Sequence, residues 1–256
     1  MTKDKILHLA NGLYDEALLA QTYFSFIKQF NEFSATNKYN SEINISQCFY
    51  QISYGAWLRA LIMELAKMYD SDKKYNTLKI LQEKLKDINP EKDFYGSNLE
   101  MLLDNNKLVS FPVAPCDLKL IPKQYGALHK MFINQDIGVI CIQLPYEECV
   151  SFFNKKWCSI REQRDKLRQH RNQVFAHNGF EASFDFEHAN KDYPLHYSDI
   201  ECLIDYAMTL TRFVIGMLTD VSKPTQYSNS NDWEATLITV REGQIRINEQ
   251  FSKDNF

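Results

Sequence analysis

The sequence predicts an all-α fold: a helical bundle with additional helices, an irregular insertion and at most one short strand. Apolar residues recur at spacings of three and four over several long segments, which is typical of amphipathic helices. The 256 residues include only 8 Gly and 7 Pro, too few for a collagen-like or a Pro/Gly-rich disordered chain. Apolar residues make up 45% of the chain and aromatic residues 13%, enough to build a large core.

Two long helices are predicted at the N-terminal end. Segment 3–33 carries an apolar stripe at helical spacing, and the polar residues 34–44 that follow predict a loop. Ser46 then precedes a segment that is apolar around most of its circumference and ends near Asp70. We expect this second helix to be the most buried element of the fold.

The middle of the chain predicts shorter elements. A capped helix is expected over 77–88 and another short helix over 94–104. Residues 105–145 contain four prolines and predict an irregular insertion with one helix near 122–134. The apolar run 137–144 fits a short strand or a helix segment, because periodicity alone does not separate the two.

The C-terminal part again predicts long helices. Pro145 begins a helix that runs to about His177, and Ser198 with Glu201 forms a capping box that opens the next one. The C-terminal extension 224–256 is predicted to be helical, with a hairpin over 232–250 as the alternative. We expect the whole chain, 1–256, to form a single domain.

The charge of the chain is acidic overall and basic in one segment. A net charge of −4 argues against a protein covered in positive charge for nucleic-acid binding. Residues 155–171, however, hold seven basic and two acidic side chains, a local excess of five positive charges. Such a run is usually a solvated helix face, but it can also contact a phosphate backbone.

Metal binding and membrane insertion are not expected. The six cysteines are scattered without a Cys-x-x-Cys pair, and the Cys and His spacings lack the close ligand pairs of a zinc site. We therefore expect no metal and no cofactor. No run approaches the roughly 18 consecutive apolar residues of a membrane span, and the first residues lack the apolar core of a signal peptide. The sequence thus predicts a cytoplasmic protein without a membrane partner.

Two arginines interrupt the apolar stripe of the helix predicted over 145–177. Arg164 and Arg171 stand in the row formed by Phe153, Trp157, Ile160, Leu167 and Val174. Burying an unpaired guanidinium costs several kcal/mol, so each arginine needs a carboxylate, a second subunit or a phosphate. Glu64 and Asp165 are candidate carboxylates for a purely structural ion pair.

A short motif closes this helix. It reads Arg171-Asn172-Gln-Val-Phe-Ala-His177, an Arg followed by a polar residue and, after five intervening residues, a His. The motif resembles the signature of the HEPN superfamily (higher eukaryotes and prokaryotes nucleotide-binding), in which four to six residues separate the Arg from a His near a helix C-terminus. Segment 58–67, Leu-Arg-Ala-Leu-Ile-Met-Glu-Leu-Ala-Lys, resembles the abortive-infection branch of that superfamily. The likeness to a HEPN-like helical bundle covers most of the chain.

The resemblance implies a metal-independent endoribonuclease that acts in phage defence or as a toxin. HEPN proteins typically pair, so a homodimer with two motif copies in one cleft is implied, together with RNA and a small antitoxin protein as partners. Carried over to this sequence, Arg171 and His177 are the catalytic candidates, and Asn172 is the adjacent polar residue. The aromatic motif of toxins that are inactivated by nucleotide transfer is replaced here by Asn178-Gly179-Phe180, so that form of neutralisation is not expected.

The chemistry of these side chains agrees with RNA cleavage. Imidazole titrates near neutral pH and can transfer a proton, and the guanidinium fork can stabilise charge that develops on a phosphate. The basic side chains that lead into the motif are the expected contacts with the RNA backbone: Arg161, Arg164, Lys166 and Arg168.

Helix geometry leaves the arrangement of the motif open. On a straight helix the six steps from Arg171 to His177 place the two side chains about 120° apart. A distorted last turn or the motif of a partner subunit must therefore bring them to one substrate. Two alternatives to catalysis stay open: a HEPN-like module that only binds nucleotides or RNA, and a helical interaction protein in which both residues are structural.

Overall fold

The structure is a computed structural model, and it describes most of the chain. The described residues are 1–70, 77–104, 108–122, 132–134, 139–176, 194–227 and 232–254. Their architecture is helical, with one small antiparallel sheet. The predicted all-α class is confirmed.

Three helices form the N-terminal part: α1 (Lys3–Thr36), α2 (Asn40–Ile45) and α3 (Gln47–Met68). The two predicted long helices are therefore confirmed, but the second is not the most buried element, because Phe49, Ile52 and Met63 of α3 are exposed. The loop predicted over 34–44 is wrong in part, because α1 continues to Thr36 and α2 begins at Asn40. Tyr39 and Ile43, four residues apart, are buried in a cluster with Phe33, and this burial makes a helical turn favourable despite the polar neighbours.

Three short helices follow: α4 (Leu78–Lys84), α5 (Pro90–Asp93) and α6 (Gly96–Asp104). The Thr77 hydroxyl accepts a hydrogen bond from the Ile80 amide at 3.4 Å, which is the N-cap expected for α4. A 3-10 turn, Leu85–Asp87, extends α4. The helices predicted over 77–88 and 94–104 are thus confirmed.

The insertion 105–145 is more regular than predicted. It contains β1 (Leu108–Val113), β2 (Phe132–Asn134) and β3 (Val139–Pro145), in the antiparallel order β1-β3-β2. The limit of one short strand was too low. The helix expected near 122–134 is wrong at 132–134, where β2 lies, and its residues 123–131 lie outside the described part of the chain. Residues of β1 pair with residues about 30 positions later, and neither segment alone indicates which partner it pairs with.

The edge strand β1 joins the sheet to the helical core. Pro112 is tolerated in β1 because this strand lies at the sheet edge. The side chain of Phe111 lies on the face of β1 opposite to that of Pro112. Its ring centroid is 4.9 Å from that of Phe152, 5.5 Å from that of Phe153 and 5.2 Å from that of Phe213. The sheet is therefore held to the helices by an aromatic cluster.

The helix predicted from Pro145 to His177 is divided in two. It consists of α7 (Tyr146–Ser159) and α8 (Arg161–Ala176), with a break at Ile160. The Ser159 hydroxyl donates to the Lys156 carbonyl at 2.8 Å, a local bond that competes with the regular helix ladder. The prediction of one continuous helix is corrected at this position, and Pro145 is the residue before the helix.

Two further helices complete the chain: α9 (Tyr197–Thr219) and α10 (Asp232–Asp254). The capping interaction of α9 differs from the predicted Ser198–Glu201 box, because the His196 amide donates to the Asp199 carboxylate at 3.0 Å. Of the two alternatives for 232–250, the structure shows the helix.

Helix α9 is the core helix of its part of the molecule. Among the described residues it is the one helix long and apolar enough to cross a membrane by length and composition. Since 67% of that apolar window is buried inside the protein, the composition is that of a buried core helix as much as of a membrane span. The predicted absence of a membrane partner stays a prediction.

The chain divides into two compact units. The first consists of 1–17 and 64–224, and the second of 18–63 and 225–256. The first unit contains the sheet and helices α4 to α9, and with them every described residue of the predicted site. Compactness does not establish independent folding, so the single domain expected over 1–256 stays a prediction.

Candidate active site

Helix α8 carries the described part of the predicted site. Leu167 and His170 are almost fully buried and fix the face of α8 that packs on the protein. Arg164 and Arg171 lie at the margin of that face and are partly buried, whereas Asn172 is exposed. The two arginines are therefore held close to the protein surface instead of extending into solvent.

Arg171 is fixed from two sides. Its Nη1 donates to Oδ2 of Asp70 at 3.0 Å, and both side chains retain under a third of their exposure (30% and 27%). From the other side, Nε and Nη2 donate to Oδ1 of Asn172 at 3.2 and 3.1 Å. Three of the five N–H donors of the guanidinium are engaged in these bonds, which orient its plane.

Asp70 is a site residue that the sequence analysis missed. It follows the last turn of α3, 101 residues before Arg171. The two carboxylates considered as partners bind elsewhere. Asp165 lies 3.1 Å from Arg168 and 3.8 Å from Arg161, and Glu64 lies 3.9 Å from Lys67. The one available signal was the position of Asp70, a carboxylate directly after an apolar helix.

Arg164 has a different environment, since its main partner is an aromatic ring. The guanidinium carbon lies 3.9 Å from the ring centroid of Trp157, and Nη2 donates to the Trp157 carbonyl at 3.2 Å. Within the described part of the chain, Nε is buried without a hydrogen-bond partner and no carboxylate forms an ion pair with this arginine. Burial lowers the pKa of Arg164, and the neighbouring Tyr69 and Asp165 oppose this only in part.

A small pocket lies between the end of α3 and α8. Its volume is about 80 Å³. It is lined by Ala66, Tyr69, Asp70, Arg164, Asp165, Leu167, Arg168 and Arg171. Three arginines and two aspartates thus surround it, which gives the walls an excess of one positive charge.

The remaining basic residues lie on a neighbouring surface. Arg161 and Lys166 line an open groove together with Asp165. Lys166 is 2.8 Å from Glu162 and 3.5 Å from Asp199, and the hydrogen bond to Glu162, the largest contribution, raises the Lys166 pKa despite partial desolvation. The structure therefore divides the predicted backbone contacts: Arg164 and Arg168 share the pocket with Arg171, and the other two do not.

One lysine of the basic segment is not available to a ligand. Lys156 is buried and forms ion pairs with Asp117 and Asp205. Burial works against its charge, but the two carboxylates outweigh that effect and raise the Lys156 pKa. The local excess of positive charge counted along the sequence is smaller at the surface for this reason.

His177 lies outside the described residues. The angle of about 120° between His177 and Arg171 therefore stays a prediction. No group of three or more His, Cys, Asp or Glu side chains that could hold a metal occurs in the described part of the chain.

Comparison with known proteins adds the family. Residues 145–236 match the HEPN_AbiU2 family, described as AbiU2. The matched segment contains helices α7, α8 and α9 and the whole Arg171-to-His177 motif. No match was found among curated proteins or among solved structures. Residues 145–236 are thus similar to the HEPN-like, abortive-infection-type family, in agreement with the resemblance predicted from the motif.

Proposed function

We propose that the chain is a metal-independent endoribonuclease of the HEPN type that acts in phage defence or as a toxin. The observation that carries the proposal is the fixed guanidinium of Arg171 at the rim of an arginine-lined pocket. The match of residues 145–236 to a family of the abortive-infection type also supports the proposal, because an RNase-like module is the expected role in such a family.

The proposed reaction is an attack of the ribose on its own phosphodiester. The 2′-oxygen forms a bond to phosphorus and the bond to the 5′-oxygen breaks, which leaves a 2′,3′-cyclic phosphate and a 5′-hydroxyl. The 2′-hydroxyl loses a proton and the departing 5′-oxygen gains one. His177 transfers a proton in this scheme, since imidazole is the side chain whose ordinary pKa lies near neutral pH.

Arg171 stabilises the charge that develops on the phosphate in this proposal. Asp70 and Asn172 already hold the guanidinium, so its orientation requires little rearrangement when the substrate binds. Asp70 acts through Arg171 and is therefore a positioning residue. Because Asp70 satisfies Arg171 within one chain, a homodimer is no longer required for that side chain. The homodimer remains part of the proposal because HEPN proteins typically pair.

RNA binds along α8 in the proposed complex. Arg164 and Arg168 contact the backbone from the pocket, and Arg161 and Lys166 do so from the neighbouring groove. We further propose that the protein acts in the cytoplasm as a homodimer and that a small antitoxin protein controls it.

Cleavage of end-labelled RNA by purified Arg171→Ala tests the proposal. Loss of one charge-stabilising donor typically reduces kcat by about 10²- to 10³-fold, and addition of a chelator leaves the wild-type rate unchanged. Arg246→Ala is the control, since this arginine is exposed on α10 in the other unit. Wild-type protein that binds RNA without cutting it would favour the non-catalytic binding module instead.

A further inference from the structure

Arg164 is the arginine of α8 that has no carboxylate partner among the described residues. Arg161 and Arg168 approach Asp165, and Arg171 is paired with Asp70. Arg164 instead stacks on Trp157 and donates to a neutral carbonyl. Its Nε–H is buried and makes no hydrogen bond within the described part of the chain.

This environment is unfavourable for a cation on its own. A desolvated guanidinium loses hydration that neither the ring face nor one carbonyl replaces fully, and an unused buried donor adds to the cost. The stacking on Trp157 fixes the plane of the guanidinium, so that little side-chain freedom remains to be lost when a ligand binds. An oriented, poorly solvated guanidinium that lines a pocket is well suited to receive an anion.

The pocket beside Arg164 has a suitable size for such an anion. Its volume of about 80 Å³ accommodates several water molecules, or one tetrahedral oxyanion that displaces them. Arg164 and Arg171 stand two turns apart on α8, about 10.5 Å along its axis, with Arg168 between them. Two separate phosphate groups can therefore be bound at the two ends of this row.

We propose that the pocket binds a second phosphate group of the RNA backbone, beside the one that is cleaved, with Arg164 as its main ligand. This inference rests on the proposed function, because it assumes that RNA is cleaved at Arg171, at one end of the row of arginines. Arg164 acts in substrate binding: its guanidinium lines the pocket and donates Nη–H groups to the phosphate oxygens.

Binding of a 2′-O-methylated RNA 12-mer tests this inference separately from catalysis, since blocking the 2′-oxygen prevents cleavage. Arg164→Gln should weaken binding by about 10- to 100-fold, the range for a hydrogen bond to a charged group. It should also reduce the slope of log affinity against log salt by about 0.7, as expected for one lost phosphate contact with a single strand. Arg161→Gln, an 81% exposed residue of the same helix, should weaken binding less than about threefold. Arg246→Gln should leave binding unchanged.

Thermal unfolding of the same variants separates binding from a structural role. Because Arg164 is desolvated without a carboxylate, Arg164→Gln should melt at the wild-type temperature or above it. Arg164→Lys, which keeps the charge and loses the fork, should bind with intermediate affinity. A clearly lower melting temperature for Arg164→Gln, with RNA affinity equal to that of Arg161→Gln, would overturn the inference and make Arg164 a structural partner of Trp157.

Two further results distinguish the alternatives. Inorganic phosphate should compete with the RNA only at millimolar concentrations. Tight, Arg164-dependent binding of inorganic phosphate without binding of the RNA would contradict the assignment to the RNA backbone. If wild-type protein binds the methylated RNA through Arg164 and never cleaves RNA, the proposed function fails and the phosphate site stands. If wild-type protein cleaves RNA and Arg164→Gln binds the methylated RNA as tightly as wild type, the phosphate site fails and the proposed function stands.

Discussion

Replacing Asp70 by Asn changes the charge beside Arg171 and little else. The amide is isosteric with the carboxylate and keeps an acceptor oxygen for the Nη1–H group, which now lies 3.0 Å from Asp70 Oδ2. The ion pair is partly exposed to solvent, since the Arg171 side chain is 30% exposed and that of Asp70 is 27% exposed. Its contribution to stability should therefore lie between that of exposed pairs and that of buried pairs, about 1 kcal/mol. For a chain of this length that corresponds to a fall of about 2–4 °C in Tm.

The effect on cleavage should be larger than the effect on folding. With Asp70 neutral, Asn172 alone orients the guanidinium strongly, and Arg171 spends less time in the geometry that stabilises the phosphate. We expect kcat to fall by about tenfold, whereas Arg171→Ala should cost about 10²- to 10³-fold. Single-turnover cleavage at saturating RNA measures kcat without the contribution of KM.

Two controls connect the loss to Arg171. In the Arg171→Ala background, Asp70→Asn should have no further effect on kcat, because a positioning residue has nothing left to position. Asp70→Glu should restore the charge, the Tm and part of the rate. A faster reaction or tighter RNA binding in Asp70→Asn would refute the reasoning, since it would show that Asp70 competes with the phosphate for Arg171.

Three further predictions concern the rest of the molecule. Lys156→Met should lower the free energy of unfolding by about 3 kcal/mol, because it leaves the buried Asp117 without its cation. The half-exposed Asp205 loses less stabilisation, since water solvates its charge. An unchanged melting temperature would contradict this prediction. Glu42→Gln should lower the melting temperature near neutral pH, because it removes the carboxylate that accepts a hydrogen bond from Arg241. The hydrogen bond from Arg241 lowers the Glu42 pKa from 4.5 to about 2. Wild-type stability should therefore be complete above about pH 5 and decrease as the pH falls towards 2. A difference in melting temperature between wild type and Glu42→Gln that persists at pH 2 would contradict this prediction. Sedimentation at tens of micromolar should show a dimer formed through α7 and α8, and a monomer under these conditions would count against the proposed pairing.

Local patterns were sufficient for the long helices and for the motif. The apolar stripes of α1 and α9 repeat every three to four residues, and this period is fixed by the geometry of one helix. Arg171 and Asn172 were found in the same way, because their motif is short and continuous in the sequence. The break at Ile160 was not predicted, since it depends on a side-chain bond of Ser159 that competes with helix formation only when the backbone bends there.

Features that depend on distant parts of the chain could not be predicted. Strand β1 pairs with β3 across the insertion, and neither strand signals its partner. Asp70 reaches Arg171 from another helix, and Lys156 is neutralised by carboxylates 39 and 49 residues away. A charge count along the sequence therefore overestimated the basic surface and missed the carboxylate of the site. Tertiary packing determines which charges meet.

Cleavage of labelled RNA by His177→Ala tests the central claim most directly. Wild-type protein should cut RNA in the presence of a chelator and leave 2′,3′-cyclic phosphate ends. A folded His177→Ala variant should lose about 10²- to 10⁴-fold in rate, the usual cost of removing one proton-transfer group. Arg246→Ala, matched as an exposed basic residue of the other unit, should cut like the wild type. A folded His177→Ala protein that cleaves RNA at the wild-type rate would contradict the claim.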